Sequence, residues 1–211
     1  FRLPFMRGVL RAPAEPLVAA RAVPVDVAVQ YLSGGAAANL DVELRSELRL
    51  RESFAFDDAP GLRGFAFARG AVQPGIRKGG FDVPCDGEEC APEAGSNATK
   101  IQTKPLRLDA AGTGRAEIDV DAAGRPRELA VELAWRDPAG ALQTSSVRVP
   151  VWPASRVVGL QASGGWGKPE GIRSVAIVLD LAGKPVAGAS VTVDAFEQRY
   201  YTHRRRLVGG F

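Results

Sequence analysis

Cys85-Asp-Gly-Glu-Glu-Cys90 gathers more chemistry-bearing side chains than any other stretch of the chain. Two thiols separated by four residues can close a tight disulfide loop, and Gly87 lets the backbone turn between them. So short a loop contributes about 2 kcal/mol in the chain-entropy model, mostly locally. The rival use of the two thiolates is zinc, but zinc needs two more ligands. The sole histidine, His203, is far away in sequence. The preferred reading is a Cys85–Cys90 bond, formed in an oxidising compartment such as the periplasm. Asp82, Asp86, Glu88 and Glu89 could hold a hard cation, yet their order lacks the alternating ligands of a calcium loop.

Elsewhere the chemistry thins out. A nucleophile needs a base beside it, and His203 stands in the polar, aromatic run Tyr200-Tyr-Thr-His-Arg-Arg-Arg206. No pair of carboxylates is set apart from surface charge, and no glycine loop joins a strand to a helix to cradle phosphate. The chain is therefore read as a non-enzyme, with no catalytic residue, metal or cofactor assigned. Arg204-Arg205-Arg206 reads as a solvated face. Asn97-Ala-Thr99 matches a glycosylation acceptor. Trp135, Trp152 and Trp166 are the side chains that a sugar-binding surface would use. Trp135 closes an alternating run and reads as core, whereas Trp166, in Gly164-Gly-Trp-Gly-Lys-Pro169, reads as exposed.

The elements that must carry these residues are strands. Val25, Val27, Val29 and Tyr31 alternate with polar or small residues, as do Val42, Leu44, Ser46, Leu48 and Leu50. Leu40, Leu44 and Leu48 also fit a helix, but the Gly34-Gly35 hairpin just before them favours a strand. Further runs are Leu106–Leu108, Ala116–Val120, Leu129–Trp135 and Val147–Trp152, parted by Gly112, Gly124 and Asp137-Pro-Ala-Gly140. Short strands with turns every 8–12 residues, roughly, predict a β-sandwich. Residues 57–104 are broken by Gly and Pro too often for long elements, and Phe54, Phe56, Phe65, Phe67 and Phe81 read as pins that hold this loop to its domain.

The hairpin pattern occurs twice. Val27 to Leu44 and Val175 to Val193 both run strand, glycine turn, short apolar link, a Gly or Asn, then a second alternating strand. Val157–Ala162 echoes Val9–Ala12 at the same spacing, about 150 residues. The expectation is one complete antiparallel sandwich over 1–153, carrying the 57–104 insertion, and the first part of a second over 154–211. Such a half-sandwich leaves an apolar face and a strand edge open. It should therefore be mobile, pack on the first domain or associate with a second copy. A start at Phe1 and a stop after Gly209-Gly210-Phe211 read as a piece of a longer protein.

A 45% hydrophobic content supports a real core, and a net charge of +3 is too small to argue for nucleic acid. No apolar run reaches the ~18 residues of a membrane-spanning helix.

The run from Arg156-Val-Val-Gly-Leu through Val178–Val193 resembles the opening of a macroglobulin-like domain. Phe196-Glu-Gln-Arg-Tyr-Tyr-Thr-His-Arg-Arg-Arg-Leu-Val-Gly-Gly-Phe211 is similar to a stretch of bacterial α2-macroglobulins. Pro13-Ala-Glu-Pro-Leu-Val18 and Tyr31-Leu-Ser-Gly-Gly-Ala-Ala-Ala-Asn-Leu40 resemble the preceding domain of the same proteins. The resemblance implies tandem fibronectin/Ig-like sandwiches in a periplasmic protease trap, its parent anchored to the inner membrane. Proteases would then be partners through the full-length parent, and other macroglobulin-like domains would be neighbours. In such traps a protease cuts a bait segment, the assembly rearranges, and a thioester often captures the protease. This chain has no Cys-x-Glu-Gln motif and no extended polar bait, so no cross-linking residue carries over, and the bait is expected beyond Phe211. An Ig-like stalk or adhesin and a carbohydrate-binding accessory domain are the alternatives.

Overall fold

A computed structural model describes residues 4–51, 53–68, 72, 74–75, 100–121, 124–163, 171–197, 199 and 201. These form an all-β molecule, with no α-helix among the described residues. The strands are β1 (Met6–Arg11), β2 (Leu17–Val18), β3 (Ala22–Tyr31), β4 (Asp41–Leu50), β5 (Ala66–Phe67), β6 (Lys100–Arg107), β7 (Thr113–Asp119), β8 (Arg127–Arg136), β9 (Leu142–Trp152), β10 (Arg156–Ser163) and β11 (Arg173–Asp180).

Two sheets make the main sandwich. One has the order β1-β3-β7 and the other β2-β9-β8-β4-β6. Pairing is antiparallel except at the two-residue strand β2, which runs parallel to β9. Period-two alternation does the sorting. Val23, Val25, Val27 and Val29 of β3 point inward onto Leu44 and Leu48 of β4 and Leu129, Val131 and Leu133 of β8, all of them buried. Each such side chain stabilises the fold by roughly 2 kcal/mol through area removed from water. The helical option for Leu40–Leu48 loses because β6 and β8 flank β4 and satisfy its backbone on both edges. Regular structure resumes at Lys100, so the end of the 57–104 segment is strand rather than loop.

One turn is used three times with the same bonds. In Asp109-Ala-Ala-Gly112-Thr113, Asp137-Pro-Ala-Gly140-Ala141 and Asp180-Leu-Ala-Gly183-Lys184, the Asp carboxylate accepts N–H groups two and four residues on, at 2.8–2.9 Å. The Asp N–H donates to the carbonyl four residues on, and the glycine N–H donates back to the Asp carbonyl. The glycines hold φ of +69°, +79° and +82°, a conformation that an L side chain resists.

A third sheet, of order β11-β10-β5, carries its own apolar cluster of Phe54, Phe56, Leu62, Phe67, Trp152, Val157 and Leu179. Here the aromatic residues depart from expectation. Phe54, Phe56 and Phe67 pin their segment not to the first sandwich alone but also to the β10–β11 hairpin, whose apolar face they cover among the described residues. Residues Ser190–Val193, expected as the second strand of the repeated hairpin, form none. Val191 and Val193 are exposed, and among the described residues no strand lies beside them to take their hydrogen bonds.

Candidate functional site

The two glycine turns that the sequence pairs by spacing share their main-chain hydrogen bonds, but neither closes a hairpin: β3 and β4 belong to different sheets, and Ser190–Val193 form no strand. Tyr31 donates its N–H to Gly35 O and Asp180 to Lys184 O; Gly34 N–H reaches Tyr31 O and Gly183 N–H reaches Asp180 O. Ala37 N–H reaches Val29 O, and Val186 N–H reaches Val178 O. Gly34, rather than Gly35, is therefore the counterpart of Gly183, and Asn39 (φ +55°) that of Gly188 (φ +69°). The strands before the turns match as well. Arg7 pairs with Gln30, Val9 with Ala28 and Arg11 with Asp26; Val157 pairs with Leu179, Gly159 with Ile177 and Gln161 with Val175.

Equivalent faces of these ribbons carry opposite chemistry. On β1–β3 the outward face is an open groove of about 720 Å³, in which Arg7, Arg11 and Arg115 surround Asp26. The Asp26–Arg115 pair stands at 3.7 Å with both side chains mostly exposed, so solvent screens it and it adds little. On β10–β11 the positions of Arg7 and Gln30 are taken by Val157 and Leu179, 4% and 0% exposed, which lie beneath the aromatic segment, while those of Arg11 and Asp26 are taken by Gln161 and an exposed Val175. Phe54 and Phe56 stack with centroids 5.3 Å apart, Phe67 meets Phe56 edge-on at 5.0 Å, and Trp152 lies 5.4 Å from Phe54. The Arg51 guanidinium sits over Phe54 and Trp152, at 5.7 and 5.3 Å from the ring centroids.

Two glycines make room for these rings. A Cβ on Gly159 would stand 2.3 Å from the Phe67 ring, and one on Gly183 would stand 2.9 Å from the Cβ of Phe56. β5 adds main-chain pairing at the edge of β10, Ala66 opposite Leu160 and Phe67 opposite Gly159. The Asp57 carboxylate accepts the Phe54 N–H at 2.7 Å and opens the run of turns that brings Phe67 back to β10. On the other face of the hairpin Val158 is 46% and Leu160 37% exposed, while Val178, the partner of Val158, is buried.

Of the residues singled out for chemistry, Cys85, Cys90, Asp82, Asp86, Glu88, Glu89, Asn97, Trp166, His203 and Arg204–Arg206 lie outside the described residues. Trp135 and Trp152 are each 4% exposed and so form no sugar-binding platform. Trp135 packs beneath Gly8, and its Nε1 is buried without an acceptor. Among the described residues no three His, Cys, Asp or Glu side chains converge as a metal site, and no helix is long and apolar enough to cross a membrane. What the sequence reading missed is the aromatic joint. Its signal was present as Phe54, Phe56, Phe65 and Phe67, spaced in pairs at period two beside two Gly-rich turns.

These sheets define a macroglobulin-like β-sandwich fold. Solved structures similar to this chain include bacterial α2-macroglobulins. The native conformation of the Escherichia coli protein is 16% identical with a TM-score of 0.58, over 88% of this chain and 11% of that one. The E. coli protein activated by porcine elastase is 19% identical with a TM-score of 0.58, over 87% and 15%. The Salmonella protein reacted with methylamine is 20% identical with a TM-score of 0.53, over 84% and 10%. The chain thus spans between a tenth and a seventh of the length of these proteins. No family model and no curated protein sequence matches it.

Proposed function

We propose that this chain is scaffold within a periplasmic bacterial α2-macroglobulin, a broad-range protease trap anchored to the inner membrane. Residues 1–153 make one macroglobulin-like domain, and 154–211 open the next. The observation that supports this best is the glycine turn whose main-chain bonds repeat at Tyr31–Ala37 and Asp180–Val186, within a fold shared with those proteins. Proteases are partners only through the full-length protein, and macroglobulin-like domains are the direct neighbours of this piece. Cys85 and Cys90 are bonded to each other, as suits the periplasm.

The test compares the chain with the full-length protein, each mixed with elastase or trypsin at equal molar ratio. The chain alone leaves cleavage of a large protein substrate unchanged, whereas the full-length protein suppresses it and runs with the protease as a complex. Stoichiometric inhibition by the chain alone, or none by the full-length protein, would overturn the reading. Thiol titration of the unfolded, unreduced chain should find no free thiol.

A further inference from the structure

The aromatic segment joins two bodies that the polypeptide links only through Pro153-Ala-Ser155. Trp152 ends β9 of the main sandwich, and Arg51 follows β4 of the same sandwich. Val157, Gly159, Leu179 and Gly183 belong to the hairpin. Phe54, Phe56 and Phe67 lie between, touching Trp152 at one end and the two glycine sockets at the other. We propose that Phe54–Phe67 is a strap that clamps the β10–β11 hairpin to the main sandwich, and that the joint has two states, clamped and released.

The geometry makes release all-or-none. Phe67 holds Gly159 twice, by its ring against the glycine and by the main-chain pairing of β5 with β10, and release of the strap gives up both. Phe56 then loses its edge-on partner, and Phe54 its place in the stack. Packed faces of this kind hold one arrangement or let go; they do not deform continuously. Once released, the three linker residues set no direction, and the hairpin turns as a hinge. The inference rests on the fold and not on the protease-trap reading, so the two stand or fall separately.

Hydrogen exchange by mass spectrometry on the full chain tests it. In Phe67→Ala, amides of 156–163 and 173–180 should exchange on the order of a hundredfold faster, while those of β4 and β8 keep their protection. Phe67→Leu, which leaves an apolar branch against Gly159, should restore part of the protection. Equal acceleration in β4 and β8, or failure of the main sandwich to fold, would mean that there is one core and no strap. Unchanged exchange in 156–163 and 173–180, or Phe67→Leu as fast as Phe67→Ala, would likewise overturn the proposal.

Discussion

The β1–β3 and β10–β11 ribbons share turn, register and hydrogen bonds, yet one faces water with Arg7 and Gln30 where the other packs with Val157 and Leu179; farther along, Arg11 and Asp26 answer to Gln161 and an exposed Val175. The difference shows that backbone and polarity are set by separate parts of the sequence. Turn glycines and alternation fix the ribbon. What lies against its outer face decides whether the alternate positions are charged or apolar. Among the described residues only the second ribbon has an aromatic segment over that face, and only it dispenses with charge there.

Exchanging the two chemistries is the strongest way to break the comparison. Val157→Arg with Leu179→Gln copies the Arg7 and Gln30 face onto the second ribbon and should cost about 4 kcal/mol of local stability, two buried apolar side chains. Tryptic cleavage within 54–67 should accelerate, and the emission of Trp152 should shift to the red. A double variant that leaves both unchanged would mean that the face's polarity does not hold the aromatic segment in place.

The paired turn glycines sharpen the comparison. Gly34→Ala meets nothing within 4 Å and loses only its positive φ, a cost of about 1 kcal/mol. Gly183→Ala pays that strain and also pushes on Phe56, for a total of about 3 kcal/mol. Chemical denaturation of the first variant, and local exchange in the second, should separate them in that order. Asp137→Ala removes the acceptor of two backbone N–H groups at a buried position and should lower the stability of the main sandwich by about 1–2 kcal/mol.

The smallest effect is a pH dependence. Hydrogen bonds from Thr113, first from its backbone N–H and then from its hydroxyl, hold the Asp109 carboxyl below its ordinary value. A depressed carboxylate binds fewer protons folded than unfolded. Its stabilisation is therefore present above the unfolded pKa and disappears as pH falls through the folded one. Asp109→Asn should flatten that acid limb by lowering stability at neutral pH toward the level the unchanged protein keeps in acid, as followed by thermal melts between about pH 2 and pH 7, the usual span of carboxylate titration.

Much of this was legible beforehand because alternation is a local signal. The valines of β3 and the Gly112 and Gly140 turns stand where period two and turn chemistry put them. The doubled glycine turn also holds to the level of single main-chain hydrogen bonds, although the strands after it make no hairpin. Two things were not legible, for one reason. That Phe54, Phe56 and Phe67 would cross to residues nearly a hundred positions away depends on which face lacks a cover, and no window of sequence contains that. Nor does the alternation of Val191 and Val193 reveal that no strand waits beside them. A strand needs a neighbour as well as a pattern.

Strand β4 pairs with β6 on one side and β8 on the other, Leu48 with Lys100 and Leu50 with Arg127. Neither neighbour is close in the chain. The β8–β9 ribbon, closed by the Asp137 turn, can zip within microseconds, but β4 must wait for long segments to find their ends. Folding rate, more than equilibrium stability, is thus what the length of chain between β4 and β6 controls. Doubling that segment would cost only about 0.6 kcal/mol of closure entropy. Shortening it would make the last sheet edge quicker to close, and would cut the time during which β4 lies open to pairing with another molecule.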